Sequence, residues 1–173
     1  MVDAIRAHDP KVSASEAEAR GMKALESVDL KRSVYRMFAH ELSGGMKQRV
    51  CIAIGILLRP KVIIADEPTS ALDVVTQRQV METIDHIQRD LGAAVILIGH
   101  DMGLMAQFVD KVAVMYAGRL VEVSTVRGMF TSPKHPYAQA LISSLPSLDN
   151  KGVFQGIPGL APSLIRVPSG CPF

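Results

Sequence analysis

The sequence predicts an α/β protein on three observations. Two short apolar runs, Lys61 to Asp66 and Ala94 to Gly99, have strand length. A helix-period segment, Asp73 to Leu91, lies between them, and another helix-length run, Ser43 to Leu58, precedes the first. Strands separated by helices are parallel, because parallel neighbours need a crossover, and their near-continuous apolar character predicts that both faces are covered.

The elements follow in order. Ser13-Ala14-Ser15-Glu16 opens a helix, since a Ser cap with Glu three residues on can satisfy free N–H groups reciprocally. Ala, Glu, Arg, Met and Leu carry that helix to about Val28. Asp29 to Ala39 is polar and irregular. Ser43 starts the next helix, which runs through Arg49, Val50 and Ile54 and stops before Pro60. Val74, Val80, Ile84 and Ile87 recur at near-helical spacing after Asp73, and Gly92 ends that helix. Lys111 to Tyr116 and Arg119 to Val123 flank Ala117-Gly118 and predict a closing β-hairpin. Thr125 to Phe130 and Tyr137 to Leu145 read as short helices. From Pro146 on, five prolines and four glycines predict an irregular extension, packed by its Phe, Ile and Leu residues. No internal repeat is visible.

Composition narrows the class. A chain of 173 residues, 48% hydrophobic and 21% charged, can bury a real core. A net charge of +2 and 5% aromatics without Trp give no basic field, so no nucleic-acid partner is expected. The apolar run Ala93 to Gly99 is far below the roughly 18 residues needed to span a bilayer, and Met1 to Pro10 is too charged for a signal peptide. Cys51 and Cys171 make no disulfide framework, and together these features lead us to expect an intracellular chain.

Three blocks carry chemistry. In Leu42-Ser43-Gly44-Gly45-Met46-Lys47-Gln48-Arg49, Ser43 can cap the helix it opens while Gly44 and Gly45 keep side chains away, leaving backbone N–H groups and the positive helix end to face an anion. A lone Ser-Gly-Gly would be an ordinary capped helix. In Val62-Ile63-Ile64-Ala65-Asp66-Glu67-Pro68-Thr69-Ser70-Ala71-Leu72-Asp73, two carboxylates emerge at the carboxyl end of a strand, where open α/β sheets bind ligands. Pro68 ends the strand, and Asp73 can cap the following helix. His100 follows the second strand in Ile98-Gly99-His100-Asp101 and lies beside Glu67 if the strands are neighbours. His8, His86 and His135 have no paired ligand at useful spacing and read as surface residues, so no metal cage is implied.

In that order and spacing the blocks resemble the signature motif, the Walker B strand with its D-loop, and the switch histidine of an ABC-type ATPase. The resemblance implies a P-loop NTPase-like fold that uses ATP and Mg²⁺. Ser43, Gly44 and Gly45 would contact the γ-phosphate of ATP held by the opposite protomer. Asp66 would orient Mg²⁺ through water, Glu67 would polarise the attacking water, and His100 would contact the γ-phosphate. Ser70, Ala71, Leu72 and Asp73 would form the D-loop at the dimer interface. The commonest family form has Gln where this chain has Met46, which removes one polar contact and leaves the backbone receptor intact.

The tail narrows the resemblance to ATPase subunits of oligopeptide, dipeptide and nickel importers. It rests on Met115-Tyr116-Ala117-Gly118, Val121-Glu122, Pro133-Lys134-His135-Pro136-Tyr137, Leu141 to Pro146, and Pro168-Ser169-Gly170-Cys171-Pro172. The implied organisation is a helical-subdomain portion over 1–58, an α/β core portion over 59–131 and a C-terminal extension over 132–173. The implied partners are a second ABC ATPase subunit, as homo- or heterodimer, two transmembrane permease subunits, and indirectly an extracytoplasmic solute-binding protein, with the chain peripheral on the cytoplasmic face of the inner membrane. In that branch a cysteine cluster after Ser-Gly-Cys can hold an iron–sulfur centre. Cys171 alone falls short of the about four thiolates required, so no such centre is expected.

The phosphate-cradling loop Gly-x-x-x-x-Gly-Lys-Ser/Thr appears nowhere, and the chain has no Gly-Lys dipeptide. The resemblance therefore maps onto the second half of the family's domain, truncated at the N-terminus, with the P-loop, the adenine-stacking aromatic and the Q-loop expected upstream of Met1. Charge-assisted phosphate bonds contribute roughly 1.5–3 kcal/mol each, so the chain alone should bind ATP weakly and be inactive. A sheet without its N-terminal strands would also expose an edge and apolar faces, so aggregation is expected. The alternative in a different class is a non-catalytic remnant or docking module that donates only its signature helix to a complete ATPase.

Overall fold

The computed structural model describes residues 1–145, 157, 159–160, 162–165 and 169–173. It resolves two compact units, Met1–Asp101 and Met102–Phe173.

The first unit begins with α1 (Val2–His8), which the sequence reading did not separate, and α2 (Ala14–Glu26). Ser13 caps α2 as expected, its Oγ accepting from Glu16 N at 3.1 Å. The polar stretch after it makes two short 3₁₀ turns, Arg32–Arg36 and Ala39–Glu41. α3 (Gly44–Ile56), β1 (Val62–Asp66), α4 (Val74–Leu91) and β2 (Ala94–Ile98) then alternate as predicted. Gly92 ends α4 at φ 62°, a left-handed conformation that costs glycine little. The core of this unit gathers Leu25, Val28, Leu30, Val34, Ala53, Ile56 and Ile87, with Ile63 of β1 packed against it; Ile5, Val12 and Ala17 form a smaller cluster beneath α1.

β1 and β2 pair in parallel, Val62 opposite Ala94 through Asp66 opposite Ile98. The expectation that both faces are covered is corrected. Burial alternates along both strands, and Val62, Ile64, Ile96 and Ile98 are exposed. Only the face carrying Ile63, Ala65, Val95 and Leu97 is shielded. An apolar run cannot reveal this, because side-chain alternation is visible only when the two faces differ in polarity.

The second unit holds a short helix α5 (Met102–Met105), the hairpin β3 (Lys111–Tyr116) and β4 (Arg119–Thr125), then α6 (Val126–Thr131) and α7 (Pro136–Ser143). Ala117 and Gly118, at φ 47° and 75°, make the tight turn, both in the left-handed region that a type I′ hairpin requires. A bulge interrupts the pairing between Val114 and Met115. Val114, Met129 and Ala138 are its buried centre. Most of the irregular extension expected from Pro146 onward lies outside the described residues.

Candidate functional site

In the first unit the site grows from the carboxyl ends of the two parallel strands. Asp66 and Ile98 close the ladder, and Glu67 N donates to Ile98 O at 2.9 Å, tying the chain leaving β1 to the end of β2. Glu67 then turns sharply, with φ 46°, a conformation that costs a non-glycine residue on the order of 1 kcal/mol. The turn is held by Ser70 N donating to Glu67 O at 3.1 Å and Leu72 N donating to Thr69 O at 3.3 Å. Pro68 is buried within it.

This geometry swings the Glu67 carboxylate towards His100. His100 Nδ1 lies 3.0 Å from Glu67 Oε1. With Glu67 ionised, Nδ1 carries the proton and donates. The imidazole is held above its ordinary pKa, first by that hydrogen bond, then by the charge of Glu67 and more weakly by that of Asp101. The pair is open to solvent, with side-chain exposures of 84% for His100 and 42% for Glu67, so a reacting group can reach it. Asp66 is exposed beside the pair. No group of three or more His, Cys, Asp or Glu among the described residues could cage a metal. A hard carboxylate oxygen at a strand end still fits Mg²⁺, which takes one or two carboxylates and completes its octahedron with phosphate and water.

The second half of the site is the start of α3. Ser43 caps it, its Oγ accepting from Met46 N at 3.3 Å. Gly44 and Gly45 follow, and at Gly45 glycine is needed for space. A Cβ on Gly45 would sit 2.5 Å from Thr76 Cγ2, and one on Gly44 would sit 3.2 Å from Leu72 Cδ2. The tip of α3 therefore lies directly against the segment that starts α4. Asp73 caps α4 twice through one partner: Oδ1 accepts from Thr76 N at 3.0 Å and Oδ2 from Thr76 Oγ1 at 2.6 Å. Those bonds, the hydroxyl's foremost, hold the Asp73 carboxyl below its usual range.

The structure thus brings Asp66, Glu67 and His100 together at the ends of two neighbouring strands, and sets Gly44 against Leu72 and Gly45 against Thr76. The Ser70 N to Glu67 O bond, at 3.1 Å, ties the first group to the Ser70–Asp73 segment. Thr76 was invisible to motif reading, because neither the signature nor the D-loop pattern includes it; the signal that could have found it is the Asp73-x-x-Thr76 cap spacing.

The second unit corrects one reading. His135, read as a surface residue, is half-buried and caps α7, its Nδ1 accepting from Tyr137 N at 3.1 Å. Its Nε2 lies 3.7 Å from Cys171 Sγ. The Glu122 carboxylate accepts from His135 N at 2.7 Å and from Lys134 N at 2.9 and 3.0 Å, and these bonds depress its pKa. Tyr116, Tyr137 and Phe173 pack ring to ring, with centroids 4.5–5.4 Å apart. His8 and His86 are exposed, as expected.

Two known family profiles match parts of this chain. The profile described as "ABC transporter" matches residues 4–70, and "Oligopeptide/dipeptide transporter, C-terminal region" matches residues 121–173. The chain is 46% identical over 165 residues to the oligopeptide transport ATP-binding protein OppD of Salmonella typhimurium, covering 94% of this chain and 49% of that protein. An ABC-transporter region over 4–70 and an oligopeptide/dipeptide transporter C-terminal region over 121–173 thus account for most of the chain. The chain is also 43% identical over 161 residues to the dipeptide transport ATP-binding protein DppD of Bacillus subtilis, covering 92% and 48% of the two. It spans about half the length of the curated relatives it matches. Among solved structures, cbiO1 of Clostridium perfringens, described as part of the ABC transporter complex cbiONQ, aligns with a TM-score of 0.66 at 30% identity, over 74% of this chain and 51% of that one. The dimeric ABC cassette MJ0796 aligns with a TM-score of 0.58 at 29% identity, over 68% and 50%. The α/β class read from the sequence agrees with these cassettes. Among the described residues no helix is long and apolar enough to cross a membrane.

Proposed function

We propose that this chain supplies the signature tip, the metal-orienting carboxylate and the hydrolytic pair of an ATPase that energises an ABC importer of oligopeptides or dipeptides. The observation that carries the reading is the Glu67–His100 pair, 3.0 Å apart at the carboxyl ends of adjacent parallel strands. A carboxylate there can take up proton density from an attacking water, and an imidazole bonded to it can orient the γ-phosphate and that water. Asp66 would hold Mg²⁺ through water; the ion would neutralise charge developing on the phosphates. Ser43, Gly44 and Gly45 would offer backbone N–H groups to the γ-phosphate of ATP bound by a partner, and Ser70, Ala71, Leu72 and Asp73 would line the same interface. The domain division is residues 1–58 for the signature-bearing helical part, 59–131 for the hydrolytic core and 132–173 for the extension that marks the peptide branch.

The assembly in this reading is a dimer of ATPase subunits on two permease subunits at the cytoplasmic face of the membrane, supplied by an extracytoplasmic solute-binding protein. The motif-level support is the order of the three blocks together with the match of residues 121–173 to the oligopeptide/dipeptide C-terminal region.

The test is to mix the chain with a P-loop-bearing ABC ATPase subunit and measure MgATP turnover. Turnover should appear only in the mixture, and Glu67→Gln should reduce it by about 100-fold or more, the usual contribution of a positioned base. Turnover that ignores Glu67 would overturn the hydrolytic assignment and leave a docking module that donates its signature helix.

A further inference from the structure

From the packing of α3 against the start of α4 we infer that Thr76 is a positioning residue that makes the signature tip and the D-loop one steric unit. Its methyl and its hydroxyl do different jobs on the two sides of the same Cβ. The methyl Cγ2 occupies the space that a side chain on Gly45 would need, 2.5 Å from an ideal Cβ there, a separation that real Cβ atoms do not adopt. The hydroxyl donates to Asp73 Oδ2 at 2.6 Å, and the backbone N–H to Oδ1 at 3.0 Å. A β-branched residue has few χ1 states, so satisfying the hydroxyl fixes where the methyl points. Gly45 is buried in this contact, and Leu72 of the D-loop approaches Gly44 beside it. A shift of the D-loop that moves Asp73 must therefore rotate Thr76 against Gly45, and a shift of the tip must push back on Asp73.

This gives Gly45 a requirement independent of any ligand: it must be small because Thr76 fills its side-chain space. The consequence for turnover rests on the functional reading above, in which both segments face a partner's ATP; the steric coupling itself does not.

The coupling is tested by a size swap in the full chain, read by hydrogen–deuterium exchange at amides the structure shows bonded in the D-loop: Ser70 N to Glu67 O, Leu72 N to Thr69 O and Thr76 N to Asp73 Oδ1. Gly45→Ala should speed exchange at these amides roughly tenfold, because an over-filled contact must open one side. Gly45→Ala combined with Thr76→Ser, which removes the methyl and keeps the hydroxyl, should return them to within about twofold of the parent chain. Amides of α2 report folding and should stay unchanged in every variant. Unchanged D-loop exchange in Gly45→Ala, or failure of Thr76→Ser to restore it, overturns the inference. A second arm measures turnover with a P-loop-bearing subunit. Thr76→Ser should lower kcat with little change in KM for ATP, the pattern of an interaction made mainly beyond the ground state. Absence of any turnover by the parent mixture would sink the functional reading while leaving the exchange result to decide the coupling.

Discussion

Glu67 is held twice, by its backbone at the end of β2 and by its carboxylate against His100, and each hold has a measurable consequence. Because Glu67 raises the His100 pKa, the charge-assisted stabilisation from the pair is fully present below the ordinary imidazole value and is lost as pH rises through the raised one. Replacing Glu67 by Gln removes the charge, so a histidine titration followed by NMR should show the His100 pKa falling back towards that of a free imidazole; an unmoved titration would mean that the 3.0 Å contact is not kept in solution. Glu122 behaves in the opposite sense. Its pKa is lowered by the N–H groups of His135 and Lys134, so the stabilisation it gives the start of α7 is present above the ordinary carboxylate value and is lost as pH falls through the depressed one. Glu122→Gln should lower the exchange protection of the Lys134 and His135 amides at neutral pH, and the protection factors of parent and variant should converge once both are acidified. Sequence reading singled out Glu67 and His100 by the order and spacing of the motif blocks, and the strand pattern made their neighbouring positions legible. It missed Thr76 and misjudged His135 because both act through neighbours that only tertiary packing or a two-residue cap geometry supplies.

Elements were the most legible level, since their signals are local. The Asp73 cap, the Gly92 stop and the Ser43 start are each written in one or two residues, and the structure places all three where the pattern did. The short α1 and α5 went unread, because at seven and four residues neither is long enough to show a helical period. The caps also carry stability that can be weighed. Asp73→Ala strips both bonds to Thr76 and should lower the unfolding midpoint of the first unit in denaturant titrations followed by circular dichroism, whereas Asp73→Asn, an equally ranked cap, should recover most of that. Gly92→Ala isolates the backbone contribution. Nothing lies within 4 Å of the side chain it would add, so the expected loss of about 1–2 kcal/mol comes from the left-handed φ alone. A neutral Gly92→Ala would show that α4 ends in another conformation in solution.

At the scale of the whole molecule the decisive feature is what remains uncovered. Val62, Ile64, Ile96 and Ile98 form a contiguous apolar face on the parallel pair, with exposures of 46–66%, and a two-stranded sheet leaves the outer edge of each strand unpaired within the unit. The hairpin of the second unit exposes Met115, Leu120 and Val123 in the same way. Burying apolar surface yields roughly 25 cal/mol per Å², so two such faces meeting gain enough to associate, and the unpaired edges give the association direction. The chain should therefore self-associate when purified alone, with light scattering that grows with concentration. Charge placed on the exposed face separates this from a general folding defect: Ile64→Lys with Ile96→Lys touches no shielded position and should leave helical signal and unfolding midpoint nearly unchanged, within about 0.5 kcal/mol, while suppressing the scattering. A parent chain that stays monodisperse and melts cooperatively would overturn the prediction, and so would scattering that survives both lysines, since the driving surface would then lie elsewhere.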